Sequence, residues 1–115
     1  MSEVFLDTGY AIALSAPKDQ YHAAALALAE RLEAEGAKLI TTRAILVEIG
    51  NALSRLQFRS AATRLLDSLE NDAHVEIVQV SEEIYQRAFQ LYRERSDKEW
   101  GMTDCISFLV MQDRG

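Results

Sequence analysis

The sequence has a single cysteine, Cys105, which excludes an intramolecular disulfide and a cysteine-based zinc cluster. One proline and five glycines in 115 residues leave little room for long linkers. Basic residues are the minority: 12 Lys and Arg stand against 18 Asp and Glu, for a formal net charge of −6. A uniformly basic surface that coats nucleic acid is therefore excluded, whereas a local basic groove is not. No apolar run approaches the roughly 20 residues of a membrane span, so no membrane association is expected. The opening Met-Ser-Glu-Val lacks the basic stretch of a signal peptide. The lone thiol is compatible with a reducing cytoplasm, and a cytoplasmic location is expected. Neither internal repeats nor low-complexity tracts occur.

What is present suits one folded domain over residues 1–115. Apolar residues make up 49% and charged residues 26%, which argues against disorder. A chain of this length can bury about two-thirds of its unfolded surface.

Near the start, Val4-Phe5-Leu6 runs into Asp7-Thr8-Gly9. Such a run predicts a short buried strand that delivers a carboxylate to its C-terminal end. In open α/β sheets, ligands bind outside those ends. An Asp there is also an ordinary turn or N-cap residue, so Asp7 alone decides nothing. Residues 10–14 predict a short helix, and Pro17 marks a break. Residues 20–35, rich in Ala and Leu, predict a helix stopped by Gly36, with His22 as a lone exposed histidine in its first turn.

Residues 37–41 predict a second strand, and Thr42 an N-cap for a helix from 43 to about 57. Its apolar stripe is Ile45, Ile49, Ala52, Leu53 and Leu56, at helical spacing. Glu48 shares that inward face, which is costly unless it is paired or bound to a cation. Arg43 and Arg55 are the available pairing partners. Residues 60–71 predict a scaffold helix, 75–80 a third strand, and Ser81 the start of a helix to about 95. Residues 96–102 form a polar loop around Trp100. Thr103 reads as the N-cap of a strongly apolar, buried last helix over 104–112. Strands alternating with helix pairs predict a parallel α/β sheet flanked by helices. A three-stranded sheet is thin for so many helices, and the last helix leads to no further strand.

Asp7, Glu48 and Asp104 thus stand at the start of three different helical segments or within them, and Asp97 and Glu99 lie just before the last. Converging carboxylates repel one another unless a cation lies between them. Mg²⁺ takes oxygen ligands and needs only a few carboxylates beside substrate phosphate. Each residue has an ordinary explanation of its own; Asp104, for example, suits the dipole of a helix first turn. The signal lies in the joint pattern.

The strand with Asp7-Thr8, the segment Thr41-Thr42-Arg43-Ala44-Ile45-Leu46-Val47-Glu48-Ile49-Gly50-Asn51-Ala52-Leu53, and the segment Asp97-Lys98-Glu99-Trp100-Gly101-Met102-Thr103-Asp104-Cys105 together resemble a PIN domain. More narrowly, the chain resembles the small PIN ribonucleases that are the toxins of VapBC-type toxin–antitoxin pairs. The resemblance covers essentially the whole chain. It implies a three-layer α/β fold with a parallel central sheet. It implies a Mg²⁺- or Mn²⁺-dependent endoribonuclease that hydrolyses a phosphodiester with metal-activated water. Asp7, Glu48 and Asp104 match the first three acidic positions of the family. Asp7 and Asp104 would be the most direct metal ligands, and Glu48 would ligate directly or through water. Asp97 is a weaker ligand candidate. Thr8 matches the small hydroxyl residue beside the first Asp. Thr8, Arg43 and Lys98 are the candidate substrate contacts, and Trp100 could stack on a base or pack under its loop. The implied partners are RNA, a cognate antitoxin and a second copy of the chain. The family usually continues into a further strand with a fourth acidic residue. This sequence has neither, so the expected domain is C-terminally truncated, with the strand bearing Asp7 central in the complete sheet.

Three other readings compete. A PIN-like interaction module with impaired catalysis fits the same residues. A phosphatase with an Asp nucleophile after the first strand usually carries a second Asp two residues on, where this chain has Gly9. Asp-Thr-Gly also matches the aspartic-protease signature, but those folds are mostly β and this chain is mostly helical.

Overall fold

The computed structural model describes residues 2–115. Three strands and six helices succeed one another as β1 (Glu3–Phe5), α1 (Thr8–Ser15), α2 (His22–Ala34), β2 (Lys38–Thr42), α3 (Arg43–Ala52), α4 (Leu56–Asn71), β3 (Val75–Val78), α5 (Glu82–Glu94) and α6 (Met102–Arg114). The strands form one parallel sheet in the order β1-β2-β3. Each crossover is a pair of helices, as parallel neighbours require.

Register places the strand ends. Val4 lies opposite Leu39 and Phe5 opposite Ile40, while Thr41 lies opposite Ile77. The C-terminal ends of β1 and β2 therefore emerge side by side at one edge of the sheet. Among the described strands β2 is the central one, and its Ile40, Thr41 and Thr42 are almost wholly buried. β1, expected in the middle of a complete sheet, is an edge strand among the described residues.

Two apolar clusters hold the layers. Leu6, Ala11, Ile45, Leu46, Ile49 and Leu69 join α1, α3 and α4 to the sheet. Ala88, Cys105, Ile106 and Leu109 join α5 to α6, with Trp100 packed against them. Gly36, at φ +66°, makes the left-handed turn that lets the chain leave α2 and enter β2.

Several boundaries differ from the sequence-based expectation. The helix begun at Arg43 ends at Ala52, not near 57, and α4 begins at Leu56, ahead of the expected 60. The apolar spacing that continues through Leu53 and Leu56 belongs to two helices, and Leu56 itself is 93% exposed. The last helix begins at Met102, with Gly101 as its cap in place of Thr103. The Gly101 N–H donates to Asp104 Oδ2 at 3.0 Å, which secures a start two residues earlier. His22 is half-buried, and its ring Nδ1 donates to the Ala13 carbonyl at 2.8 Å.

Side-chain ion pairs tie the sheet's other edge. Glu76 accepts from Lys38 at 2.8 Å and pairs with Arg114, which also reaches Glu3 at 3.2 Å. Lys38 and Arg114 hold the Glu76 carboxyl below its usual range. Arg87 does the same to Asp113.

Ile49→Ala removes a fully buried side chain of the first cluster and should cost about 2–5 kcal/mol in urea denaturation; a loss well under 1 kcal/mol would mean that this cluster is not the core. The depressed Glu76 and Asp113 carboxyls bind fewer protons folded than unfolded above their folded pKa values. Their stabilisation is present above the ordinary carboxylate range and is lost as pH falls through it. Melting temperature measured against pH should therefore fall on the acid side, and Glu76→Gln should flatten that limb. An unchanged limb in Glu76→Gln would remove the cluster from the account.

Candidate active site

Asp7 is the first residue past β1 and its buried continuation, Leu6. Its backbone is extended, and its Oδ1 accepts from the Tyr10 N–H at 2.8 Å, so it caps α1. Leu6 is anchored twice: its N–H donates to Ile40 O at 2.8 Å, and its carbonyl accepts from the buried Thr41 hydroxyl at 3.0 Å. The neighbouring Thr42 caps α3 by accepting from Ile45 N–H at 3.2 Å. α3 thus starts beside α1, and Glu48 reaches it. Thr8 Oγ1 donates to Glu48 Oε1 at 2.6 Å, a short charge-assisted bond between residues 40 apart in sequence. The partner of Glu48 is this hydroxyl; Arg43 pairs instead with Glu70 on α4.

α6 closes the third side. Asp104 in its first turn and Ser107 and Phe108 in the next face the same cleft as Asp7, Thr8, Glu48 and Ile45. The cleft holds about 270 Å³. Three carboxylates from the beginning, middle and end of the chain thus line one concavity. They stand apart within it: among the described residues no three His, Cys, Asp or Glu side chains come close enough to form a ready cation site. Each already has a partner within the protein: Asp7 is held by the start of α1, Glu48 by Thr8 and Asp104 by Gly101.

The donor chemistry nevertheless fits a hard divalent cation, being carboxylate and hydroxyl oxygen throughout. Ser107 adds to the fit. Its Oγ is buried without a hydrogen-bond partner among the described residues, on a helix face that lines the cleft. A buried hydroxyl left unpaired is costly, and a ligand or water in the cleft would satisfy it. Sequence alone did not single out Ser107, although its spacing of three from Asp104 puts both on one helical face.

The remaining candidates lie elsewhere. Arg43 does not line the cleft. Lys98 lines a neighbouring one, beside Trp100. Asp97 receives both Nε and Nη2 of Arg95, at 3.0 and 3.1 Å, and this pairing holds its carboxyl below the usual range. Cys105 is next to Asp104 but is fully buried. Burial, with the adjacent Asp104 charge, pushes its thiol up, which disfavours a nucleophilic thiolate.

A family model of the PIN domain matches residues 4–115. The chain belongs to the PIN-domain family. Its fold is that of VapC20 from Mycobacterium tuberculosis, described as a sarcin–ricin-loop-cleaving toxin. The two superpose with a TM-score of 0.83 at 24% identity, over 99% of this chain and 84% of that one. A comparison with curated protein sequences finds no significant relative.

If the cleft takes a cation, millimolar Mg²⁺ or Mn²⁺ should raise the melting temperature by a few degrees. Asp7→Asn and Asp104→Asn should each abolish that rise. A rise retained in both variants would put the cation somewhere else.

Proposed function

We propose that the chain is a Mg²⁺- or Mn²⁺-dependent endoribonuclease and the toxin of a toxin–antitoxin pair. The observation that carries this reading is the single cleft lined by Asp7, Thr8, Glu48 and Asp104. Membership of the PIN family and the fold shared with an RNA-cleaving toxin support it.

Asp7 and Asp104 would hold the cation, with Glu48 ligating directly or through water. When bound, the cation supplies Lewis acidity and lowers the pKa of a water, making hydroxide available near neutral pH. The chain's own groups do the rest. Thr8 fixes the rotamer of Glu48 through its 2.6 Å bond, so one carboxylate oxygen is occupied and the other is left for the cleft. Ser107, whose Oγ is buried in the α6 wall, would reach a phosphate oxygen or water by turning its hydroxyl toward the cleft. Phe5, Ile45, Phe108 and Met111 supply apolar walls that limit water around the reacting phosphate.

The partners in this reading are RNA, a cognate antitoxin and a second copy of the chain, in the cytoplasm. Exposed apolar side chains on the outer helices, such as Val47, Leu56 and Phe58, give protein partners something to cover. No described helix is long and apolar enough to cross a membrane.

The non-catalytic alternative, a PIN-like interaction module, draws support from one fact: each of the three carboxylates already has a hydrogen-bond donor within the protein. Cleavage decides between them. Single-stranded RNA should be cut only when Mg²⁺ or Mn²⁺ is present. Asp7→Asn, Glu48→Gln and Asp104→Asn should each lower the rate at least about a hundredfold, as expected when one electrostatic stabiliser is lost. Thr8→Val, which only frees Glu48, should cost about tenfold. Metal-independent cutting would overturn the cation's role, and no cutting by folded wild-type protein would leave the scaffold reading standing.

A further inference from the structure

A second cleft, of about 580 Å³, lies between α5 and the loop before α6. Its chemistry is the reverse. Phe89, Tyr92 and Trp100 present ring surfaces, and Arg93, Arg95 and Lys98 present cations, against one lining carboxylate, Glu99. In a chain of net charge −6 this is a local inversion of sign. Among the described residues neither Arg93 nor Lys98 has a carboxylate within ion-pair distance, although other basic side chains are paired. These charges are therefore available to an outside anion.

The cations and rings are interleaved. The Arg93 guanidinium lies 4.6 Å from the Phe89 ring centroid, and Arg95 and Lys98 lie 5.2 and 6.0 Å from that of Trp100. Arg95 is clamped by two bonds to Asp97, so its plane is fixed beside the indole. Single-stranded nucleic acid is bound by this combination: bases stack on aromatic rings or guanidinium planes, and cations track the phosphates. An acidic peptide would use the cations but would gain little from three rings.

The two clefts share no lining residue, but two contacts connect their walls. The Trp100 ring meets the Phe108 ring edge-on at 4.8 Å, and Phe108 lines the acidic cleft. Gly101 lines the basic cleft while its N–H holds the Asp104 carboxylate. We propose that the cleft between α5 and the loop before α6 is a stacking subsite for single-stranded RNA, which seats nucleotides next to those at the acidic cleft. The inference rests on the nuclease reading for the RNA's purpose, and its test is separate.

Trp100 is the chain's sole tryptophan and reports on this cleft directly. Short single-stranded RNA titrated into Asp7→Asn protein, which should not cut it, is expected to quench Trp100 fluorescence saturably. Arg93→Gln combined with Lys98→Gln should weaken the titration about tenfold. It should also lower the salt slope of log affinity by about 0.7 for each cation removed. Both side chains are exposed, so the melting temperature should hold; Lys98→Gln alone should give a smaller loss in the same direction. No quenching, quenching indifferent to both variants, or quenching by polyglutamate in place of RNA would each overturn the subsite. Cleavage by the unaltered chain is assayed in parallel. Cutting without quenching removes the subsite and leaves the nuclease; quenching without cutting keeps the subsite and removes the nuclease.

Discussion

The hydrogen bond from the Thr41 hydroxyl to the Leu6 carbonyl lies in the fully buried interior, between the last residue before Asp7 and the residue before the α3 cap. It locks the relative height of two parallel strands. From that height the chain departs twice in the same direction, into α1 and into α3, and the start of α1 is left facing the second turn of α3. Everything chemical about the acidic cleft depends on this. A slip of one residue would move β1 about 3.3 Å along β2 and turn its side chains to the opposite face. Thr8 and Glu48 would then no longer meet.

What the sequence made legible was local. Thr42 and Ser81 do cap α3 and α5, accepting from Ile45 and Ile84. The alternation of strands and helix pairs led to a parallel sheet, and the acidic positions led to the PIN family. What stayed hidden was tertiary. The partner of Glu48 had two local-looking solutions, Arg43 and Arg55, and strand register, not spacing, selected Thr8. The apolar stripe beyond Ala52 could not show that it changes helix, because Leu53 and Leu56 keep helical spacing across the break. Thr103 has the side chain of a cap, but the bond from the Gly101 N–H to the Asp104 carboxylate outweighs it. Ser107 was no candidate by sequence, and only the packing of α6 against the cleft brings it to the wall.

The Trp100–Phe108 contact separates two fields of opposite sign. At physiological salt the screening length is about 8 Å, so a ligand close to the surface responds to the nearest charges more than to the total. A polyanion repelled by the chain as a whole still finds a favourable approach on the α5 side. The acidic side alone would repel it. That asymmetry would set the side from which a polyanion approaches α6, and it would do so without a net basic protein.

The cleft draws its walls from residues 7, 48 and 104, and the last of these lies on the helix that comes after every other element. Domains emerge from the ribosome N-terminus first. While β1, β2 and α3 are already able to pair, the cleft still lacks α6 and one carboxylate. A nascent chain therefore has no assembled acidic cleft until nearly all of these residues have been made. For a protein proposed to cut RNA, the topology itself delays the hazard: the acidic cleft cannot exist before α6 has been made.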